Sequence, residues 1–299
     1  MRAAVIHETG GPEVIRIEEI ADPEPAEGQV LVRVEAAGVN RFDVNQRKGG
    51  ASSFPLVLGN PGDAAGTRVD TGERVVVAGA KGAYAELTVA DETGVFPLPE
   101  GVEATLAAAM LTPYRTAWWG IVGRGELAEG RRLFVQGGSS STGQAAIDIG
   151  RALGAEVYAT ASESKHRRLR ELGAEPLAYD DTRIAELAAN VVWEPLGART
   201  FESSVSALGQ DGRLITPGAV GDPTVSFSVW GIVGKRGRIE GIAGQQAPRE
   251  ALAELLERAA RGELHPWVER ELPLEEAAEA HRLVEAGEVT GRIVLKPAT

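Results

Sequence analysis

The stretch LFVQGGSSSTGQAAIDIGRALG, residues 133–154, decides the fold. Three β-forming apolar residues, Leu133, Phe134 and Val135, run into the small-residue turn Gly137-Gly138-Ser139-Ser140-Ser141-Thr142-Gly143. Ala146, Ile149, Ala152 and Leu153 then follow at helical spacing, and Gly154 supplies the C-cap. A second strand, 156–161, comes at once. Strand, turn, helix, strand is the order of a dinucleotide-binding βαβ unit, in which the helix N-terminus holds a pyrophosphate on its free N–H groups. Laid on G-x-G-x-x-G, the turn reads Gly138-Ser139-Ser140-Ser141-Thr142-Gly143, with Ser140 where the middle glycine normally lets backbone approach phosphate. Three serine hydroxyls offer donors in its place. A Ser/Gly loop of some other α/β protein reads the same way, so the rest of the chain must decide.

The 299 residues are enough for a large core and two domains. At 43% apolar and 25% charged, the composition is that of a globular protein. A net charge of −12 argues against nucleic acid and anionic membranes as partners. No apolar run approaches the ~20 residues that span a bilayer, and MRAAVIHETGG reads as a strand rather than a signal peptide, so a cytoplasmic location is expected. The chain has no cysteine, which removes disulfides, thiolate zinc sites, iron–sulfur clusters and a thiol nucleophile. Its four histidines, His7, His166, His265 and His281, are widely spaced, so no metal site is expected.

The first ~110 residues read as β-rich. Strands are expected at 3–6, 14–17, 30–36 and 75–77, with an alternating run at 82–89 and a helix at 103–110. From about Thr112 strands alternate with helices, as in a doubly wound parallel sheet. Its six strands are expected at 133–135, 156–161, 176–178, 190–194, 212–216 and 238–242. Beyond them come a helix at 248–261, a helix at 274–286 and a strand at 292–296 that returns to the N-terminal domain.

An acid at the tip of the second strand would select NAD. Here the tip is Thr160-Ala161-Ser162, followed by Lys165-His166-Arg167-Arg168-Leu169-Arg170, the densest basic run in the chain. Hydroxyls and cations at this place suit a 2′-phosphate, which favours NADPH. A solvated helix face is the other reading of the run.

With these residues in view, the chain resembles the zinc-free medium-chain dehydrogenase/reductases of the quinone oxidoreductase (zeta-crystallin-like) branch over nearly its whole length. The resemblance rests on Ala37-Gly38-Val39-Asn40-Arg41-Phe42-Asp43, Pro55-Leu56-Val57-Leu58-Gly59, Gly72-Glu73-Arg74-Val75, Pro273-Leu274-Glu275-Glu276-Ala277-Ala278-Glu279-Ala280-His281 and Thr290-Gly291-Arg292-Ile293-Val294-Leu295. It implies a GroES-like catalytic domain from both chain ends (1–111 and 263–299), a Rossmann domain between them (112–262), an active site in the cleft and a homodimer. It also implies that Asn40 and Thr116 sit by the nicotinamide, that Ser162, Lys165 and Tyr179 hold the adenosine 2′-phosphate and ribose, and that Gly218 and Ile242 approach the nicotinamide side. Read alone, Asn40 is a turn-former, Thr116 a hydroxyl bonded to its own helix, and Tyr179 a loop aromatic.

Three departures from the family pattern stand out. Leu58-Gly59-Asn60-Pro61-Gly62 replaces the G-H-E motif of the zinc-dependent relatives. Asn45 stands where some quinone reductases carry tyrosine. The segment 65–72 is short, so a hairpin near the cleft is trimmed. The reaction these features imply is direct hydride transfer from NADPH to a flat quinone or enone, with Phe42, Trp118, Trp119 and Trp267 available to line a pocket or to pack in the core. The proton is expected from water or a ribose hydroxyl relay. An enoyl-thioester reductase and a catalytically idle NADPH-binding protein are the alternatives.

Overall fold

The computed structural model describes residues 1–297. The chain divides into two compact units, Met1–Thr112 with Trp267–Thr299, and Pro113–Pro266. Along the first pass through unit one run β1 (Arg2–Ile6), β2 (Arg16–Glu19), β3 (Gln29–Gly38), α1 (Arg41–Asn45), β4 (Leu56–Val57), β5 (Gly62–Arg68), β6 (Arg74–Ala80), β7 (Leu87–Asp91) and β8 (Val95–Pro97), and α2 (Ala104–Trp118) begins in unit one and ends in unit two. Unit two holds β9 (Arg132–Val135), α3 (Ser141–Ala152), β10 (Glu156–Thr160), α4 (His166–Glu171), β11 (Glu175–Leu177), β12 (Ala189–Trp193), α5 (Phe201–Ala207), β13 (Leu208–Thr216), α6 (Val229–Val233), β14 (Arg238–Gly241) and α7 (Arg249–Ala260). The chain then returns to unit one as β15 (Val268–Pro273), α8 (Ala277–Ala286) and β16 (Arg292–Lys296).

Unit one is the GroES-like part of the fold. Its main sheet runs β15-β16-β3-β5-β6-β8, with β7 also on β3. Alternation along β3 buries Val30, Val32 and Val34 on one face. Ala277, Ala280 and Leu283 of α8 and Ile293 and Leu295 of β16 join the same core. The returning strand pairs antiparallel with β3, Val294 opposite Gly38 and Leu295 opposite Ala37, so the two chain ends share one sheet.

Unit two is a six-stranded parallel sheet in the order β11-β10-β9-β12-β13-β14. Counted from β9 this is 3-2-1-4-5-6, the doubly wound dinucleotide-binding topology, and the order reverses between β9 and β12. Apolar residues on both faces of the central strands, Leu133, Phe134, Val135, Val191, Val192 and Trp193, are fully buried, as a sheet covered on both sides requires.

Three local expectations from the sequence give way. Residues 12–14 form a single 3-10 turn with Pro12 at its start, and the strand begins only at Arg16. Within 82–89 only Leu87 onward joins the sheet. Gly82 has φ +94°, and Ala85 reaches β1 through a single bridge to Ala3. The helix expected to stop at residue 110 continues to Trp118 through Pro113, and the Thr112 N–H there donates to Asp63 Oδ2 at 3.1 Å. The short segment 65–72 is the end of β5 and its turn into β6, where Arg68 N–H donates to the Glu73 carbonyl at 2.9 Å.

Candidate functional site

In unit two the turn after β9 is built from small residues because little else fits. Gly137 has φ +65°, a left-handed conformation that favours glycine. A Cβ on Gly143 would lie 2.4 Å from the Gly137 carbonyl oxygen, so α3 can start this close to the turn only with glycine there. Ser140 is the N-cap of α3: its Oγ donates to the Gly137 carbonyl at 2.8 Å and accepts from Gly143 N–H at 3.1 Å. Its one hydroxyl proton is therefore occupied within the turn. Ser140 stands for the middle glycine as a brace, leaving the half-buried Ser139, Ser141 and Thr142 to present hydroxyls. By helix geometry the first-turn N–H groups of Ser141 and Thr142 lack intrahelical acceptors, so α3 opens on an anion-seeking end.

The neighbouring strand ties the turn down. Thr160 Oγ1 donates to the buried Gln136 Oε1 at 2.5 Å and accepts from Gly137 N–H at 3.1 Å, and Gly138 N–H donates to the Thr160 carbonyl at 2.8 Å. Ser162, exposed, follows the end of β10, and Lys165, half-buried, ends the next 3-10 turn. The basic run does not act as one patch. Arg167 and Arg168 both lean on Glu171, at 2.9 and 3.3 Å, and the His166 ring meets the Ala161 carbonyl. Tyr179, half-buried two residues beyond β11, carries the Arg199 guanidinium over its ring at 5.0 Å.

Residues expected at the other end of the nucleotide also gather in unit two. Thr116 is buried on α2, and a Cβ on Gly244 would lie 2.2 Å from its Oγ1, so glycine alone permits that approach. Ile242 N–H donates to the Thr216 carbonyl at 2.9 Å, and Thr216 Oγ1 donates to the Gly218 carbonyl at 2.9 Å. Gly218 has φ +135° and faces open space. Trp118 is half-buried on α2, and Trp119 packs on Gly123 with Arg124 5.8 Å above its ring.

Sequence reading passed over one feature of this unit. Glu194, fully buried after β12, accepts from Leu196 N–H (2.7 Å), Gly197 N–H (3.1 Å) and Thr200 Oγ1 (3.0 Å) through Oε1, and from Ser204 Oγ (2.5 Å) through Oε2. Four donors offset the burial of this carboxylate and fix the loop at the sheet's switch point.

Asn40 belongs to unit one, at the N-cap of α1. Its Oδ1 accepts from Arg292 Nη1 at 2.8 Å, its Nδ2 donates to Asp63 Oδ2 at 3.1 Å, and its N–H donates to Asp43 Oδ2 at 2.8 Å. Arg292 Nη2 reaches Asp63 Oδ2 at 2.8 Å, and Thr112 Oγ1 donates to Asp63 Oδ1 at 2.8 Å. Tyr84 donates to Asp43 Oδ2 at 2.9 Å and meets the His281 ring edge-on at 5.8 Å. Burial raises Asp43 to about 7, against the pull of the Asn40 and Tyr84 donors, and burial with the nearby Arg47 charge lowers His281 to about 3. Phe42 (50% exposed) and Trp267 (40% exposed, its Nε1 donating to Glu269) also lie in unit one.

Residues 26–100 match the model of the alcohol dehydrogenase GroES-like domain, and residues 172–295 that of the zinc-binding dehydrogenase. Over 99% of its length the chain is 30% identical to a human quinone oxidoreductase, covering 97% of that protein. The chain belongs to the quinone oxidoreductase family of medium-chain dehydrogenases/reductases. Among solved structures, an NAD-dependent alcohol dehydrogenase superposes with a TM-score of 0.90 at 31% identity, 99% of each chain being covered. A mycobacterial protein complexed with NADPH superposes at 0.89 and 27% identity, over 99% of this chain and all of that one. This quinone oxidoreductase relative is thus an oxidoreductase of the medium-chain fold. Zinc, named in one family description, does not fit its donor set: there is no cysteine, and the described residues hold no group of three His, Asp or Glu able to ligate a metal.

Proposed function

We propose that this member of the family is an NADPH-dependent reductase of quinones or electron-poor enones that works without a metal. Likeness over the full chain to enzymes named quinone oxidoreductase carries the reading, and the solved relative complexed with NADPH supports the coenzyme. The α3 N-terminus and the hydroxyls of Ser139, Ser141 and Thr142 suit a pyrophosphate, with Gly138 and Gly143 giving it access and Ser140 bracing the turn. Ser162, Lys165 and Tyr179 would hold the adenosine end, and Asn40, Thr116, Gly218 and Ile242 the nicotinamide end. NADPH supplies the hydride when bound. The chain's own part is to orient the nucleotide and exclude water, with Phe42, Trp118 and Trp267 offering flat apolar surface for an acceptor.

Oxidation of NADPH with 9,10-phenanthrenequinone, 1,4-benzoquinone and crotonyl-CoA tests the proposal. Turnover with the quinones is expected. Turnover with crotonyl-CoA alone would move the assignment to enoyl-thioester reduction, a reading favoured by 34% identity to 5% of a Streptomyces halstedii polyketide synthase. Tight NADPH binding without any turnover would make the protein a catalytically idle binder.

By the family resemblance, Lys165, at the end of the 3-10 turn that follows β10, is the residue of that run assigned to the 2′-phosphate. Lys165→Ala is expected to raise the NADPH Kd about tenfold to a hundredfold, roughly 1.5–3 kcal/mol for a charge-assisted contact, and to leave NADH nearly unchanged. Fluorescence titration with both coenzymes decides it; equal weakening of the two removes the assignment.

A homodimer through the free edge of the parallel sheet completes the proposal. β14 ends the strand order, and beside it α6 exposes Val229 (67%), Trp230 (78%) and Val233. In an antiparallel pairing of two β14 strands centred on Ile239, Arg238 faces the partner's Glu240, a self-complementary match. Light scattering should give twice the 31.5 kDa chain mass, and Trp230→Glu should give a folded monomer. A Trp230→Glu protein that stays dimeric would put the interface elsewhere.

A further inference from the structure

The Arg199–Tyr179 stack joins two loops that lie far apart in the sheet. Tyr179 follows β11 and Arg199 follows β12, and in the strand order β10 and β9 stand between them. Three strand spacings are about 14 Å, so the pair closes over the carboxyl ends of the two strands that bear Ser162 and the Gly137–Thr142 turn. Arg199 is exposed, but its backbone is not loose. The carbonyl of Gly197 accepts from Thr200 N–H and Phe201 N–H at 3.1 Å each. Ala198 N–H donates to the Asp222 carbonyl at 2.9 Å, and buried Glu194 grips Gly197 and Thr200 on either side.

The Arg199 Cζ lies 5.0 Å from the Tyr179 ring centroid, a cation–π contact that takes none of the guanidinium N–H donors. Among the described residues no carboxylate or carbonyl takes them. Arg167 and Arg168 share the Glu171 carboxylate, and Arg183 pairs with Asp181. Arg199 follows β12 and Lys165 follows β10, both past the carboxyl ends of the same sheet, and the planar donor fork of a guanidinium is suited to a phosphate monoester, whose oxygens accept two parallel bonds.

We propose that Arg199, held over the Tyr179 ring, is a second cation for the adenosine 2′-phosphate and a determinant of coenzyme choice; this rests on the NADPH reading above. Neither the glycine turn nor the basic run points to it, because Arg199 reaches the adenosine side only through the fold.

Calorimetric titration of the full chain with adenosine 2′,5′-bisphosphate and with 5′-AMP tests it without any turnover. The wild-type protein should bind the bisphosphate at least about tenfold more tightly than AMP. Arg199→Ala should lose about tenfold for the bisphosphate and leave AMP unchanged, while Arg199→Lys, which keeps the charge but not the fork, should fall between. Loss of affinity for both ligands equally would mean that Arg199 stacks on adenine, and no loss for either that it faces solvent; both overturn the proposal. Equal binding of the two ligands by the wild-type protein would instead remove the NADPH preference itself, and this proposal with it. An intact circular dichroism spectrum for Arg199→Ala is expected, since the side chain is exposed.

Discussion

Arg292→Met should cost the protein about 3–5 kcal/mol of stability, the loss typical when one partner of a buried ion pair is removed. Arg292 and Asp63 are 3% and 2% exposed, and the guanidinium divides its donors between Asp63 Oδ2 and Asn40 Oδ1 at 2.8 Å each. Without it, Asp63 keeps Asn40 Nδ2 and both Thr112 donors but loses the positive charge that offsets its burial. Asn40 would also lose the contact that fixes which way its amide points. The double variant Asp63→Asn/Arg292→Met should recover part of the loss, because no uncompensated charge stays behind. Urea denaturation of the three proteins checks this. A loss under about 1 kcal/mol for Arg292→Met, or no recovery in the double variant, would mean that the pair is not what holds the two chain ends together.

The same cluster shows where sequence reading stops. Asn40 and Arg292 both lie in stretches that mark the family, yet their 2.8 Å contact joins positions 252 residues apart, and no local pattern announces it. The parallel sheet was legible because each of its strands is a short apolar run bounded by turn residues, and the order of strands and helices permits few topologies. The helix expected at 103–110 runs on to Trp118 through Pro113, a residue type disfavoured inside helices, and Asp63 takes the Thr112 N–H beside it. Ser140 was legible as a departure from the fingerprint but not as a helix cap. Glu194 read as the polar end of a strand; its burial follows from Thr200 and Ser204 folding back onto it, a local spacing that could have been noticed. Arg199 carried no such mark, because Tyr179 is its neighbour only once the sheet has formed.

Two buried titratable groups of unit one should pull stability in opposite directions with pH. Asp43, raised from 3.8 to about 7 by burial, is protonated in the native state and ionised in the unfolded chain between about pH 4 and 7. The native state binds the extra proton there, so this contribution is full at low pH and is lost as pH rises to 7. His281, lowered from 6.5 to about 3 by burial and the Arg47 charge, is neutral in the native state while the unfolded chain takes up a proton below 6.5. Its contribution is therefore full above 6.5 and is lost as pH falls towards 3. Over the shared window the two slopes oppose each other, each group's full shift amounting to roughly 4–5 kcal/mol at 1.36 kcal/mol per unit. Asp43→Asn keeps an acceptor for the Asn40 N–H and the Tyr84 hydroxyl and removes one slope. Its stability relative to wild type should rise as pH goes from 4 to 7. His281→Phe keeps an aromatic edge for Tyr84 and removes the other, so its stability relative to wild type should fall over the same range. Urea denaturation at half-unit pH steps measures both differences. If the Asp43→Asn and wild-type curves run parallel from pH 4 to 7, Asp43 is ionised in the folded protein, and the Tyr84 and Asn40 donors outweigh its burial.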